Sequence, residues 1–135
     1  MRVVVDTNVF ISSLLNTEGN PRKVIDLWRF EKITLCISRD ILAEYFAVLG
    51  RFGLSEEPEG EELVQLFQKR YNQVFLASVP TISAITEDPA DNKFIECAVA
   101  AGAKYIISGD RHLLNLKAFK GIQILPPTLF LKLKE

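Results

Sequence analysis

Short apolar runs rich in β-branched residues alternate along the chain with longer stretches in which apolar residues recur at helical spacing. Val3, Val4 and Val5 form the first run, and such a run is typical of a strand covered on both faces. Four more runs of this kind span residues 33–37, 74–79, 104–108 and 122–125. The alternation predicts a single α/β domain over residues 1–135, Rossmann-like, with a central parallel sheet of about five strands between two layers of helices.

Polar residues with capping preferences indicate where several of the helices begin. Asn20 is expected to be the N-cap of the second helix, with Pro21 at its first position. Ser38 is expected to cap the third helix. Asp88 is interpreted as the cap of the helix that carries Asp91 in its first turn, where a negative charge favours the helix dipole.

Four carboxylates lie where the predicted sheet would collect them. Asp6 follows the first strand and Asp110 the fourth, Glu44 lies about two turns into the helix after the second strand, and Asp91 begins the helix before the fourth. Each acid taken alone also has a structural explanation as a cap, a helix-dipole partner or a solvated side chain. Because right-handed crossovers bring the carboxyl ends of parallel strands to one edge, we expect the four to converge there.

Converging carboxylates favour the binding of hard divalent cations. Like charges held close together oppose folding unless something neutralises them, and an all-oxygen site suits Mg²⁺ or Mn²⁺ better than zinc. Cys36 and Cys97 are interpreted as buried reduced thiols, and the lone His112 as a surface or loop residue. One or two such ions activate water and clamp a phosphodiester for in-line attack, chemistry that needs no histidine base and no protein nucleophile.

The charge balance restricts the partners of the chain. Sixteen basic and seventeen acidic side chains leave a formal charge of -1, so an anionic partner requires a local basic patch or bound cations. Arg22, Lys23, Lys93 and Arg111 lie in segments near the predicted edge and are the candidates for contacts with the phosphates of a nucleic acid. No apolar run approaches the roughly 20 residues that span a bilayer, and no signal peptide is recognised. We expect a cytoplasmic protein without a membrane partner.

In their order and spacing, four motifs resemble those of the PIN domain family over essentially the whole chain. They are Asp6-Thr7-Asn8 after a valine strand, an isolated Glu44 in the third helix, Asp91 opening DNKFIECA, and Ser108-Gly109-Asp110 after a strand. Within that family the chain is similar to the small single-domain toxins of toxin–antitoxin pairs (VapC-like).

The resemblance implies a metal-dependent ribonuclease with one or two Mg²⁺ or Mn²⁺ ions. The residues it assigns to catalysis and to the metal are Asp6, Glu44, Asp91 and Asp110. It further implies that Asn8 orients the first aspartate and that Ser108 touches the metal site or the scissile phosphate. Asp88 lies outside the family's core pattern, and a supporting role beside the metal is left open for it. The partners implied are an RNA substrate, a cognate antitoxin and a second copy of the chain in a homodimer.

Two other enzyme classes place acids at strand ends, and the sequence fits neither. A phosphorelay receiver domain would need an acceptor aspartate at the end of the central strand and a lysine after the last one. Here the third strand runs into Val79-Pro80 and the fifth into Pro126-Pro127. A haloacid-dehalogenase phosphatase would need an aspartate at the position that Asn8 holds.

A competing interpretation is a PIN-fold module that binds RNA or a protein without cutting. The complete set of four acids favours the enzyme, and loss of cleavage with retained RNA binding in Asp6→Asn would support it.

Overall fold

The computed structural model describes residues 1–134 and places all of its strands in one sheet. The six strands of these residues are β1 (Arg2–Val5), β2 (Thr34–Ser38), β3 (Gln73–Leu76), β4 (Tyr105–Ile107), β5 (Ala118–Phe119) and β6 (Ile122–Leu125). The α-helices are α1 (Thr7–Leu15), α2 (Asn20–Arg29), α3 (Arg39–Arg51), α4 (Pro58–Gln68), α5 (Asn92–Ala101), α6 (Arg111–Leu116) and α7 (Pro127–Lys134). Short 3₁₀ turns precede α4 and α5, at Leu54–Glu56 and Pro89–Asp91.

The strand order is β3-β2-β1-β4-β6-β5, and the first five of these strands are parallel. The chain builds outwards from β1 to β2 and β3, then crosses back to β4 on the other side of β1. The direction of winding therefore reverses between β1 and β4, and in open α/β sheets such a switch point is where ligands bind. The predicted parallel sheet of about five strands is confirmed.

Helices cover both faces of the sheet, which gives the predicted three-layer α/β/α architecture. Right-handed crossovers put α1 to α4 on one face and α5 and α6 on the other, and α5 packs across β1 to β4. The first helical layer meets in an aromatic cluster with one ring from each helix: Phe10, Trp28, Tyr45 and Phe67. The ring centroids of Phe10 and Tyr45 lie 4.6 Å apart, within the range of favourable aromatic pairs. Cys36 and Cys97 are buried and free, as predicted.

Two element boundaries and one strand differ from the sequence-based expectations. The N-cap of α2 is Gly19, so the prediction that Asn20 caps this helix is wrong; Asn20 is its first residue. β3 ends at Leu76 rather than at residue 79, because its neighbour β2 ends at Ser38, opposite Leu76, and offers no further partner. The added strand β5 has only two residues and pairs antiparallel with β6. Ser38 caps α3 as predicted, since its Oγ accepts the Ile41 N–H at 3.2 Å.

The packing of α4 against the 3₁₀ turn before it depends on a glycine. Gly60 is buried in α4, and a Cβ there would lie 1.8 Å from the carbonyl oxygen of Leu54. That oxygen belongs to the backbone, so it can withdraw only if the turn moves. We therefore expect Gly60→Ala to lower the free energy of unfolding by about 1–3 kcal/mol, the usual range for overpacking, in urea denaturation.

Gly50→Ala is the matched control for this prediction. Gly50 lies in α3, where an added Cβ would meet no described atom within 4 Å. Alanine in a helix interior is favoured over glycine by about 0.5–1 kcal/mol, so the control should unfold at the same urea concentration or a higher one. Equal stability of the two variants would contradict the close approach at Gly60.

Candidate metal centre

A cleft of about 320 Å³ opens at the carboxyl ends of β1 and β4, at the switch point of the sheet. Five carboxylates line it: Asp6, Glu44, Asp88, Asp91 and Asp110. Larger grooves exist elsewhere on the described surface, but this one collects the acids that the sequence places at the strand ends. The predicted convergence of four acids therefore occurs, with a fifth beside them.

Asp6 lies at the floor of the cleft and is 4% exposed. Its carboxylate accepts a hydrogen bond from the Ser108 hydroxyl on Oδ2 at 2.6 Å and a long one from the main-chain N–H of Asn8 on Oδ1 at 3.5 Å. Burial raises the pKa of Asp6, the two hydrogen bonds oppose that rise, and the charges of Asp110 and Glu44 add to it. The orientation expected from Asn8 comes from its backbone, while its side chain is exposed at the cleft.

Ser108 joins the ends of the two central strands. It is fully buried, and its Oγ donates to Asp6 while accepting the main-chain N–H of Asp110 at 2.9 Å. Asp110 in turn caps α6, because its Oδ1 accepts the His112 N–H at 2.8 Å. Ser108 thus lies behind the carboxylates and holds Asp6 and Asp110 in fixed relation. His112, expected at the surface or in a loop, is a partly buried residue of α6.

Three aspartates form the densest part of the acidic set. Asp88, Asp91 and Asp110 each offer a carboxylate oxygen, and these oxygens lie within 4.8 Å of one another. Asp88 occupies the N-cap position of the 3₁₀ turn, but its side chain accepts no capping hydrogen bond. The interpretation of Asp88 as a helix cap is therefore wrong for its side chain, which faces the other two carboxylates instead. We call these three residues the aspartate triad.

The aspartate triad fits a hard divalent cation. Among residues 1–134, no salt bridge involves any of the three carboxylates, and the buried Oδ2 of Asp91 has no hydrogen-bond partner. Burial raises the pKa of Asp91 to about 7, and the charges of Asp110 and Asp88 add to the rise. An oxygen-only donor set with excess negative charge suits Mg²⁺ or Mn²⁺.

Glu44 belongs to the same cleft but is compensated by the protein itself. Its Oε1 lies 2.6 Å from the ammonium group of Lys93. Its Oε2 accepts a hydrogen bond from the hydroxyl of Thr7, the residue after Asp6. Both carboxylate oxygens therefore have a partner, and Glu44 lies outside the aspartate triad.

The loop that carries Asp88 is fixed by an asparagine that the sequence analysis did not single out. Asn92, at the start of α5, is 7% exposed. Its amide donates to the Ile85 carbonyl at 3.0 Å and accepts the Ile85 N–H at 2.8 Å. This two-point contact ties the loop of residues 77–88 to the helix and so sets Asp88 beside Asp91. The sequence gives no signal for it beyond a capping residue type next to an aspartate.

The four predicted phosphate-binding cations differ in their surroundings. Lys93 is paired with Glu44, and Arg22 lies between Asp26 and Glu59, 2.9 Å from the latter. Lys23 lines a separate groove against α7. Arg111 is exposed and follows the triad residue Asp110 directly.

Arg51 is the cation of the cleft that the sequence analysis missed. It is exposed, lines the cleft and has no salt bridge within residues 1–134. It lies seven residues after Glu44 on α3, a spacing that places both on the same face of a helix. The seven-residue spacing from Glu44 is the sequence feature that could have identified Arg51 as a residue of the cleft.

Comparison with known proteins agrees with the fold and the acidic cleft. The model of a PIN domain family matches residues 2–112. The uncharacterized protein MJ1680 of Methanocaldococcus jannaschii is 35% identical over 118 residues, which are 87% of this chain and 76% of that protein. PIN domains are generally nucleases that use divalent metal ions. Within residues 1–134, no helix combines the length and the hydropathy needed to cross a bilayer.

The raised pKa of Asp91 predicts how metal-free stability depends on pH. Between about pH 4 and pH 7 the folded protein holds a proton on Asp91 that the unfolded chain, with its pKa near 3.8, has released. The free energy of unfolding should therefore fall as the pH rises through this window. Asp91→Asn should flatten the profile, because the amide has no proton to lose. Urea denaturation in EDTA at a series of pH values measures both slopes.

Asp40→Asn controls for the loss of one negative charge. Asp40 is exposed on α3 and does not line the cleft, so this variant should keep the wild-type slope. An Asp91→Asn profile as steep as the wild type would mean that another group is responsible for it.

Proposed function

The chain belongs to the PIN domain family, and we propose that it is a metal-dependent endoribonuclease that hydrolyses RNA phosphodiester bonds. The observation that carries the proposal is the aspartate triad at the switch point of the sheet, where three carboxylates converge without a cation from the protein. A bound cation would offset the repulsion within such a cluster. A divalent ion in that place could also activate water and clamp a phosphodiester for hydrolysis.

The residues of the cleft would have different roles in such an enzyme. Asp88, Asp91 and Asp110 would hold Mg²⁺ or Mn²⁺, and the resemblance to the family adds Asp6 and Glu44 to the acidic set. The bound ion would lower the pKa of a water molecule and offset the charge on the scissile phosphate. Asp6, fixed by its hydrogen bonds at the floor of the cleft, orients a water molecule that enters from the open side.

Two cations at the cleft support an RNA substrate. Arg51 lines the cleft and Arg111 directly follows Asp110, and both are exposed. Exposed guanidinium groups bind phosphate oxygens in two-point contacts. Both would bind phosphates of the RNA near the one that is cut, and phosphate contacts of this kind carry no sequence preference.

We also propose that the protein is the toxin of a toxin–antitoxin pair and works in the cytoplasm as a homodimer. The similarity to small single-domain PIN toxins supports this role. Among residues 1–134, six large apolar side chains are exposed: Met1, Leu15, Phe30, Phe52, Leu129 and Leu133. A second copy of the chain or an antitoxin would cover such side chains. Light scattering at micromolar concentration tests the homodimer, and a monomer there would contradict it.

Cleavage of a pool of structured and single-stranded RNAs tests the proposed activity. The wild type should cut in Mg²⁺ or Mn²⁺ and stop in EDTA. Asp6→Asn/Asp110→Asn should not cut, because it removes the carboxylate at the floor of the cleft and one member of the triad. Gel analysis of the products would give the cleavage sites as well.

Asp40→Asn is again the control, since it removes an exposed carboxylate from outside the cleft. It should cut like the wild type. RNA that is bound but never cut, with either metal, would contradict the nuclease and favour a PIN-fold binding module.

Arg51→Gln should weaken RNA binding several-fold without changing metal binding. On an Asp6→Asn background, which prevents cutting, the slope of log affinity against log salt should decrease by about one, the signature of a lost phosphate contact. The physical reason is the removal of an unpaired guanidinium from the cleft. Fluorescence anisotropy with a labelled RNA at several salt concentrations measures the slope.

Lys32→Gln is the matched control for Arg51→Gln. Lys32 is exposed just before β2, at the amino-terminal edge of the sheet, opposite the cleft. Its removal should leave the salt slope unchanged. Equal slopes for Arg51→Gln and the wild type would exclude Arg51 from the RNA contact.

A further inference from the structure

The acidic cleft holds two groups of carboxylates that differ in how their charge is compensated. The aspartate triad has three charges, no salt bridge within residues 1–134, and a buried oxygen of Asp91 without a partner. Glu44 has an ammonium group on one oxygen and a hydroxyl on the other. One group thus lacks a cation, whereas the other already has one.

We infer that the cleft binds a single divalent ion, through Asp88, Asp91 and Asp110, and that the ammonium group of Lys93 neutralises Glu44 in place of a second ion. The inference rests on the metal dependence of the proposed function and specifies its site. It changes three expected roles, because Asp88 enters the metal site while Glu44 and Asp6 leave it. The carboxylate of Asp6 is held by the Ser108 hydroxyl and the main-chain N–H of Asn8.

Lys93 reaches Glu44 from the same segment, the start of α5, that positions Asp91 of the triad. It lies two residues after Asp91, at the start of α5, and Asn92 between them is pinned to the Ile85 backbone. The start of α5 therefore carries Asp91 into the triad and Lys93 to the carboxylate of Glu44. An ion pair formed by chance at the surface would not have its lysine held in place by a buried neighbour such as Asn92.

The Glu44–Lys93 contact is short and partly shielded from water. The N–O distance is 2.6 Å, and the side chains are only 22% and 30% exposed for Lys93 and Glu44. A short, charge-assisted contact in a half-buried place is screened less than one in open water. For Glu44 to bind a metal ion, Lys93 would have to leave, and the ion would have to approach an ammonium group of the same sign.

Asp88 supplies a carboxylate for the ion, whereas that of Glu44 is already paired with Lys93. Its carboxylate makes no capping contact and lies with those of Asp91 and Asp110 within the 4.8 Å that one cation can bridge. The loop that carries it is pinned by Asn92, so this position belongs to the fold. Carboxylates from the protein, with water in the remaining positions, suit Mg²⁺, which keeps several of its water ligands when it binds.

Titration of metal-free full-length protein with Mn²⁺ tests the inference, with bound ions counted by electron paramagnetic resonance and affinity measured by calorimetry. The key variant is Glu44→Gln/Lys93→Gln, which removes both members of the pair and leaves the net charge unchanged. It should bind one ion with an affinity within about threefold of the wild type, because neither residue contacts the ion. Asp88→Asn should lose about tenfold or more, as expected for a group that holds a metal.

Glu87→Gln controls for the charge lost in Asp88→Asn, since Glu87 is the exposed neighbour of Asp88 and does not line the cleft. Its affinity for Mn²⁺ should stay close to that of the wild type. Lys93→Gln alone should bind a second ion, because Glu44 is then left without a cation. Circular dichroism on each variant confirms that it is folded.

The outcomes separate this inference from the proposed function. Two ions on the wild type, a tenfold loss in the charge-neutral double variant, or a single ion on Lys93→Gln would each overturn the inference and leave a metal-dependent nuclease standing. Failure of the wild type to bind Mn²⁺ at millimolar concentration would overturn both. One ion, lost with Asp88 and kept in the double variant, would establish it.

Discussion

Repulsion among five carboxylates at one edge of the sheet is the constraint on which the rest of this structure depends. Parallel strands with right-handed crossovers bring their carboxyl ends together, so acids placed after strands cannot avoid one another. Asp6 is compensated by the Ser108 hydroxyl and a backbone N–H, and Glu44 by Lys93. Within residues 1–134, no basic side chain forms a salt bridge with the aspartate triad, so its charge is left uncompensated.

The packing around the cleft is what keeps these charges from moving apart. The hydroxyl of Tyr45 donates to the carbonyl of Val5, directly before Asp6, and the Tyr45 ring packs on Phe10. On the other side, Asn92 ties the loop before Asp88 to α5 through Ile85. Close-packed interiors of this kind transmit strain instead of relaxing it. The core therefore holds the carboxylates in place against their repulsion, and a cation that binds them adds stability to the fold.

The sequence predicts the parts of the site that follow directly from strand order. It does not predict those that depend on contacts between residues far apart in the sequence. Asp6 and Asp110 come straight after buried strands, so their meeting needs only the topology. The place of Asp88 depends on the path of a loop without regular structure, which one buried amide determines. The pairing of Lys93 with Glu44 joins residues 49 positions apart, and no local pattern reports it. The two-residue strand β5 was missed because two residues carry no periodicity.

The distribution of charge also bears on the order in which a metal ion and an RNA substrate would bind. The cleft is lined by five carboxylates and the guanidinium of Arg51, and Lys93 pairs with Glu44. Its excess negative charge opposes the approach of a phosphodiester, since like charges raise the free energy of approach. Within residues 1–134, neither Arg51 nor Arg111 makes a salt bridge with the triad, so under the proposed function they would attract RNA without neutralising it. Under the proposed function, a divalent ion at the triad would therefore favour the approach of a phosphate to Asp6. Metal binding and substrate binding would then be coupled through charge.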